Sequence, residues 1–76
     1  MNPVEFLKNF AAEFPEVPSE SFSLQTNFQE TSVWDSLAAL TIISMVDEKY
    51  ELRLSGNELR KCDTINDLFL LVSSRK

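Results

Sequence analysis

Histidine is absent from this 76-residue chain, and cysteine occurs once, as Cys62. Without histidine, neither the usual zinc ligand sets nor a Ser-His or Cys-His nucleophile pair can be assembled within the chain. A single cysteine also excludes an internal disulfide bond. We therefore expect no metal site and no catalytic residue, which indicates a protein that is not an enzyme.

Basic residues are scarce as well. The chain has seven Lys and Arg residues and twelve Asp and Glu residues, which gives a formal net charge of -5. No basic stripe suited to a phosphate backbone is visible, so nucleic acid is not an expected partner. No apolar run approaches the roughly 20 residues that cross a bilayer. The stretch from Met1 to Glu5 lacks the features of a secretory signal. We predict a cytoplasmic monomer without membrane insertion.

Glycine occurs once, as Gly56, which leaves few places for tight β-hairpin turns. The chain instead shows helical periodicity, with apolar residues recurring at steps of three and four. We predict an all-α fold with one domain over residues 1–76, arranged as an irregular four-helix bundle with a long loop between helices one and two and a short third helix. The predicted helices span about 3–14, 36–50, 56–61 and 65–74.

The apolar residues of helix one and of the long loop define the expected core, and those of helix two share one side of that helix. Helix one contributes a stripe that includes Phe6, Phe10 and Phe14. Helix two contributes a second stripe, formed by Leu37, Leu40, Ile43, Val46 and Tyr50. Because a structureless connection of this length is unusual in a compact domain, we expect the apolar residues of the long loop to pin it onto the bundle. These residues are Val17, Phe22, Leu24 and Phe28.

The stretch from Phe28 to Leu37, Phe-Gln-Glu-Thr-Ser-Val-Trp-Asp-Ser-Leu, resembles the prosthetic-group attachment region of acyl and peptidyl carrier proteins. In that family an aromatic-x-acid element precedes Asp-Ser-Leu at the start of the second helix. The resemblance continues through residues 45–50 and 64–68 and covers essentially the whole chain. It implies that Ser36 carries 4′-phosphopantetheine derived from coenzyme A and that the protein holds acyl intermediates as thioesters.

The resemblance also implies which proteins this carrier meets. They are a phosphopantetheinyl transferase, which attaches the arm, and acyl-activating, ketosynthase or acyltransferase enzymes of fatty acid or polyketide biosynthesis. Two other functions stay open. The chain could be a peptidyl or aminoacyl carrier, or an unmodified helical protein-interaction module, which would show no modification at Ser36.

Independent physical reasoning also supports a phosphate group at Ser36. The first turn of a helix offers unpaired backbone N–H groups and the positive end of the helix dipole. The alternative is that Ser36 or Asp35 only caps the helix. We interpret Asp35 as a cap that the modifying transferase could also recognise, and we do not interpret it as a general base.

Four further residues are candidates for docking. Leu37 fits the core and a docking surface equally well. Trp34 is expected to anchor packing, with contact to a partner enzyme as the alternative. Asp47 and Glu48 are the nearest negative pair, because Ala38, Ala39 and Thr41 stand where the family often has carboxylates. We therefore expect docking to depend less on charge. Ser32-Val33 stands at the position where many members of the family have Leu-Gly. We interpret Cys62 as a partly buried packing residue.

Overall fold

The computed structural model describes residues 2–75 and shows an all-α chain, as predicted. Within this range there are four α-helices and no strands: α1 spans Pro3–Ala12, α2 Ser36–Tyr50, α3 Gly56–Arg60 and α4 Ile65–Arg75. Met1 and Lys76, the ends of the predicted domain, lie outside the described residues. The helix order, the long first loop and the short third helix are confirmed.

The first helix ends at Ala12, two residues earlier than predicted. The backbone N–H of Glu13 donates to the carbonyls of Ala11 and Phe10, and these short-range bonds tighten the last turn of the helix. Pro15 disfavours the helical conformation at the residue before it, so Phe14 cannot continue the helix. Phe14 nevertheless stays buried and contributes to the core.

Side-chain caps fix the starts of three helices. The Asn2 Oδ1 atom accepts from the Val4 N–H at 2.8 Å, with Pro3 in the first turn. Ser55 and Glu58 form a reciprocal capping box before α3, with bonds of 3.1 and 3.0 Å. Thr64 accepts from the Asp67 N–H at 3.0 Å at the start of α4. Each of these caps uses a residue type and spacing that is readable in the sequence.

The core is rich in aromatic rings, and Phe10 lies at the centre of one cluster. Its ring centroid lies 5.6 Å from that of Phe28, 5.8 Å from that of Phe22 and 5.7 Å from that of Phe14. Phe6, on the same face of α1, contacts the rings of Tyr50 and Phe69. Because α1 reaches α2, α4 and the long loop in this way, its predicted aromatic stripe is confirmed as core.

The first half of the apolar stripe predicted for α2 is exposed, which favours the docking interpretation of Leu37 over the core interpretation. Leu37 and Leu40 are 72% and 59% exposed. The core side of α2 is instead formed by Ala38, Ile42, Met45, Val46 and Tyr50. Apolar residues occupy more than one face of this helix, so periodicity alone could not show which face is buried.

The loop between α1 and α2 is ordered and tied to the rest of the fold. It contains two short 3-10 turns, Ser19–Ser21 and Phe28–Glu30. The Thr26 carbonyl accepts from the Ile65 N–H at 3.1 Å, and the Leu24 carbonyl accepts from the Asn66 N–H at 2.8 Å. Phe22 and Phe28 are buried, and Val17 and Leu24 are partly buried. The prediction that apolar residues pin this loop is confirmed.

Candidate functional site

Ser36 is the first residue of α2 and is exposed to solvent. The preceding residue, Asp35, has an extended backbone, and its Oδ1 atom accepts from the Ala38 N–H at 2.8 Å. Asp35 is therefore the helix cap, and the Ser36 hydroxyl takes no part in any hydrogen bond within residues 2–75. This arrangement leaves the serine oxygen accessible at the start of a 15-residue helix.

Two backbone donors lie next to the Ser36 hydroxyl. Within residues 2–75, the N–H groups of Ser36 and Leu37 have no acceptor, whereas those of Ala38 and Ala39 bond to Asp35. Unpaired amides in a first helical turn, together with the helix dipole, favour an anionic group. A negatively charged phosphodiester on this serine would therefore find two donors close by.

An apolar surface extends from Ser36 along α2. Leu37 and Leu40 are among the most exposed large hydrophobic residues of the described chain. They line an open groove of about 310 Å³, whose other end is lined by Glu48 and Lys49. Asp47 is exposed near the same end of α2 but does not line the groove. The groove is therefore apolar near the start of α2, at Leu37 and Leu40, and charged near the end of α2, at Glu48 and Lys49.

Trp34, two residues before Ser36, packs against the aromatic core. Its indole lies edge-on to Phe28 at a centroid distance of 4.8 Å and is stacked with Phe10 at 6.4 Å. The residue is partly buried. The predicted packing role of Trp34 is thus confirmed, and part of its surface remains open beside the serine.

Comparison with known protein families gives this site its context. The family model described as phosphopantetheine attachment site matches residues 5–72. The chain belongs to this family. No curated protein and no solved structure matches the chain significantly.

Membership of the phosphopantetheine attachment family defines the cofactor. The domain is the attachment site of a covalent 4′-phosphopantetheine group, so this chain is a phosphopantetheine-bearing carrier. Such carriers are generally non-catalytic, and they interact with a phosphopantetheinyl transferase and with biosynthetic enzymes. The exposed hydroxyl and the two unpaired amides at the start of α2 fit the phosphodiester of this group.

Sequence reasoning missed one polar residue of this carrier domain, Gln29. Its side-chain amide donates to the carbonyls of Leu59 at 3.3 Å, Arg60 at 3.1 Å and Cys62. Gln29 therefore connects the 3-10 turn before the serine to the end of α3. The only signal in the sequence is its place inside the aromatic-x-acid element, which does not predict a contact 30 residues away.

Cys62 is buried in the core of the domain. Burial raises the pKa of its thiol, and the nearby carboxylates of Asp67 and Asp63 raise that pKa further. The interpretation of Cys62 as a packing residue is confirmed.

Within residues 2–75, no group of three or more His, Cys, Asp or Glu side chains could hold a metal ion. In the same range, no helix is long and apolar enough to span a membrane.

Proposed function

We propose that Ser36 is the attachment residue and that this chain is an acyl carrier protein. The observation that carries the proposal is the exposed Ser36 hydroxyl at the start of α2, beside two backbone N–H groups without acceptors. The family match supports an attachment site within residues 5–72, a range that contains Ser36. We further propose that the protein acts as a cytoplasmic, non-catalytic monomer.

The bound arm supplies a terminal thiol on which an acyl group is held as a thioester. This chain supplies the Ser36 oxygen and the donors around it. Asp35 is engaged with the Ala38 N–H, and the chain has no histidine, so the proton of the Ser36 hydroxyl must leave to a base of the transferase. The role of Asp35 is to cap the helix and to be recognised by the transferase.

We propose that partner enzymes dock along the exposed side of α2. Leu37 offers apolar contact beside the arm, and Trp34 offers its open surface before it. Asp47 and Glu48 provide negative charge at the far end of the helix, which would steer partners with a small basic patch. The proposed partners are acyl-activating, ketosynthase or acyltransferase enzymes of fatty acid or polyketide biosynthesis.

Intact mass measurement tests the attachment residue. The parent, Ser36→Ala and Ser32→Ala are each incubated with coenzyme A, magnesium and a broad-specificity phosphopantetheinyl transferase. Ser32 is an exposed serine four residues earlier and is the matched control. We expect the parent and Ser32→Ala to gain one phosphopantetheine and Ser36→Ala to gain none. A folded parent that gains nothing with several transferases would instead support an unmodified interaction module.

Loading of the modified protein tests the cargo. The protein with its arm attached is offered to acyl-activating enzymes and, separately, to amino-acid-activating enzymes. We expect an acyl thioester to form at the higher rate. Faster loading of amino acids would replace the acyl carrier assignment by a peptidyl or aminoacyl carrier and would leave the role of Ser36 unchanged.

A further inference from the structure

We propose that Gln29 is a positioning residue that holds the attachment segment, residues 28–36, against the C-terminal end of α3. The proposal rests on the proposed attachment at Ser36. It assigns to the Gln29 amide the task of keeping the serine in one place relative to the body of the domain.

The first observation is the set of bonds that Gln29 makes. The two N–H donors of its amide are shared among the carbonyls of Leu59, Arg60 and Cys62. These carbonyls lie at the end of α3 and in the turn after it, where a helix leaves its last carbonyls without intrahelical partners. Gln29 therefore caps the C-terminal end of α3, although it is about 30 residues away in the sequence.

The second observation is the length of α3, which has five residues. A helix this short is not stable without tertiary contacts. Its start is held by the capping box of Ser55 and Glu58, and its end receives the Gln29 amide. The order of α3 and the position of the 3-10 turn Phe28–Glu30 are consequently coupled through one side chain.

The third observation is that no other side chain within residues 2–75 makes this connection by hydrogen bonds. Within residues 2–75, the Gln29 amide makes the only side-chain hydrogen bonds between the attachment segment and α3 or the turn that follows it, and an isolated antiparallel bridge pairs the neighbouring residue Asn27 with Thr64. The backbone bonds from Leu24 and Thr26 hold the earlier part of the loop, and they run to the start of α4. Loss of the Gln29 donors would therefore loosen the 3-10 turn from the end of α3, while the backbone bonds keep the earlier loop in place and the Phe28 and Trp34 rings keep their contacts with Phe10.

A chain of contacts leads from Gln29 to the serine. The Thr31 hydroxyl donates to the Phe28 carbonyl at 2.8 Å, and the Thr31 carbonyl accepts from the Trp34 N–H at 3.2 Å. Trp34 also packs on the Phe28 ring. A shift of the 3-10 turn would thus move Trp34 and, two residues later, Ser36. Trp34 is the single tryptophan of the chain, so its fluorescence reports this shift directly.

The test compares two substitutions at one position. Gln29→Met keeps the length of the side chain and removes the donors, whereas Gln29→Lys retains donors that suit the carbonyl end of a helix. Gln25→Met is the matched control, because Gln25 is an exposed glutamine on the same loop that makes no hydrogen bond within the described range. For each protein, Trp34 emission and the kcat and KM of phosphopantetheine transfer are measured well below the melting temperature.

We expect Gln29→Met to shift Trp34 emission and to lower kcat by about tenfold, because a small misplacement of a reacting group is costly even when its cause is distant. KM should change little, since the exposed side of α2 is intact. Gln29→Lys should recover most of both signals, and Gln25→Met should match the parent. Parent-like emission and kcat in folded Gln29→Met would overturn the proposal.

Two further outcomes are informative. If Gln29→Met does not fold, NMR of the parent decides: the Gln29 amide protons must exchange with solvent more slowly than those of Gln25, and equal rates would overturn the proposal. If the parent itself gains no phosphopantetheine, the attachment at Ser36 fails. Trp34 emission in the variants then still shows whether Gln29 positions the segment.

Discussion

The Phe28 ring lies edge-on to the indole of Trp34, with ring centroids 4.8 Å apart and an angle of 70° between the planes. This contact joins the turn that begins the attachment segment to the residue that nearly ends it. Both rings also contact Phe10 of α1. The start of α2 is thereby positioned by the aromatic core and not by the loop alone.

Phe28→Leu should lower the free energy of unfolding by about 1–2 kcal/mol, because it removes buried ring contacts and leaves a small cavity. It should also change Trp34 emission in the folded state. Phe6→Leu is the matched control, since Phe6 is equally buried but contacts Tyr50 and Phe69. Urea unfolding and fluorescence measure both effects. An equal change of Trp34 emission in the two variants would contradict the specific Phe28 contact.

Asp35→Ala should lower the free energy of unfolding by about 1 kcal/mol, because the Ala38 N–H loses its side-chain acceptor. Asp35→Asn keeps an acceptor of similar capping strength and should stay close to the parent. Urea denaturation compares the three proteins. These two variants also separate the capping role of Asp35 from its recognition by the transferase. A slower phosphopantetheine transfer to a stable Asp35→Asn variant would show that the transferase recognises the carboxylate.

Glu51→Gly should raise the free energy of unfolding by up to about 1 kcal/mol, because Glu51 ends α2 in the left-handed conformation that glycine adopts without strain. The backbone angles of Glu51 are φ 53° and ψ 43°. Glu51→Val should do the opposite, since a β-branched residue tolerates this region poorly. Thermal unfolding followed by circular dichroism gives the order. A less stable glycine variant would contradict the assignment of strain to this residue.

Ser73→Ala should raise the free energy of unfolding by about 1 kcal/mol, because it removes a buried hydroxyl that has no partner within residues 2–75 and introduces a better helix former. Ser74→Ala is the control on the same helix. Ser74 is exposed, and its hydroxyl donates to the Leu71 carbonyl at 2.8 Å. Its substitution should have a smaller effect in the same urea titration. Destabilisation by Ser73→Ala would show that the Ser73 hydroxyl has a partner.

Stability should fall in acid, because two carboxyl groups titrate below their ordinary values. The Ser55 backbone N–H and Arg75 hold the pKa of Glu58 below 4.5, and the backbone N–H groups of Thr64 and Asp63 hold the pKa of Asp67 below 3.8. A lowered pKa in the folded state means that the unfolded chain binds more protons. The stabilisation is therefore present above these ordinary values and is lost as the pH falls through the folded pKa.

Glu58→Gln tests this dependence, because glutamine can still accept in the capping box but carries no charge. We expect its urea midpoint to fall less than that of the parent between roughly pH 6 and pH 3. Glu16→Gln is the control, since Glu16 is exposed and makes no hydrogen bond within residues 2–75. A parent-like pH profile in Glu58→Gln would contradict the role of this carboxylate.

Local signals made much of the fold predictable. Asn2 and Ser55 are caps that act within a few residues, so their roles follow from the sequence. The aromatic stripe of α1 is equally clear, because its residues share one face and no competing face is apolar. Asp35 was predictable as a cap for the same reason, although Ser36 offered an equivalent side chain one position later.

Long-range relationships were not predictable in the same way. Leu37 and Leu40 carry a core-like pattern and yet are exposed, because the choice of the buried face depends on where α1 and α3 pack. Gln29 bonds to carbonyls about 30 residues away, and no local pattern encodes such a contact. Both cases concern the surroundings of the site, where tertiary packing decides and propensity does not.

Fragmentation mass spectrometry of the loaded protein tests the central claim most directly. The parent is modified by a phosphopantetheinyl transferase and charged by an acyl-activating enzyme, and the site of the added mass is then located along the chain. We expect one phosphopantetheine on Ser36 that bears an acyl group, and we expect neutral hydroxylamine to release that group as a thioester. A phosphopantetheine on any other residue, or none on the folded parent, would contradict the account.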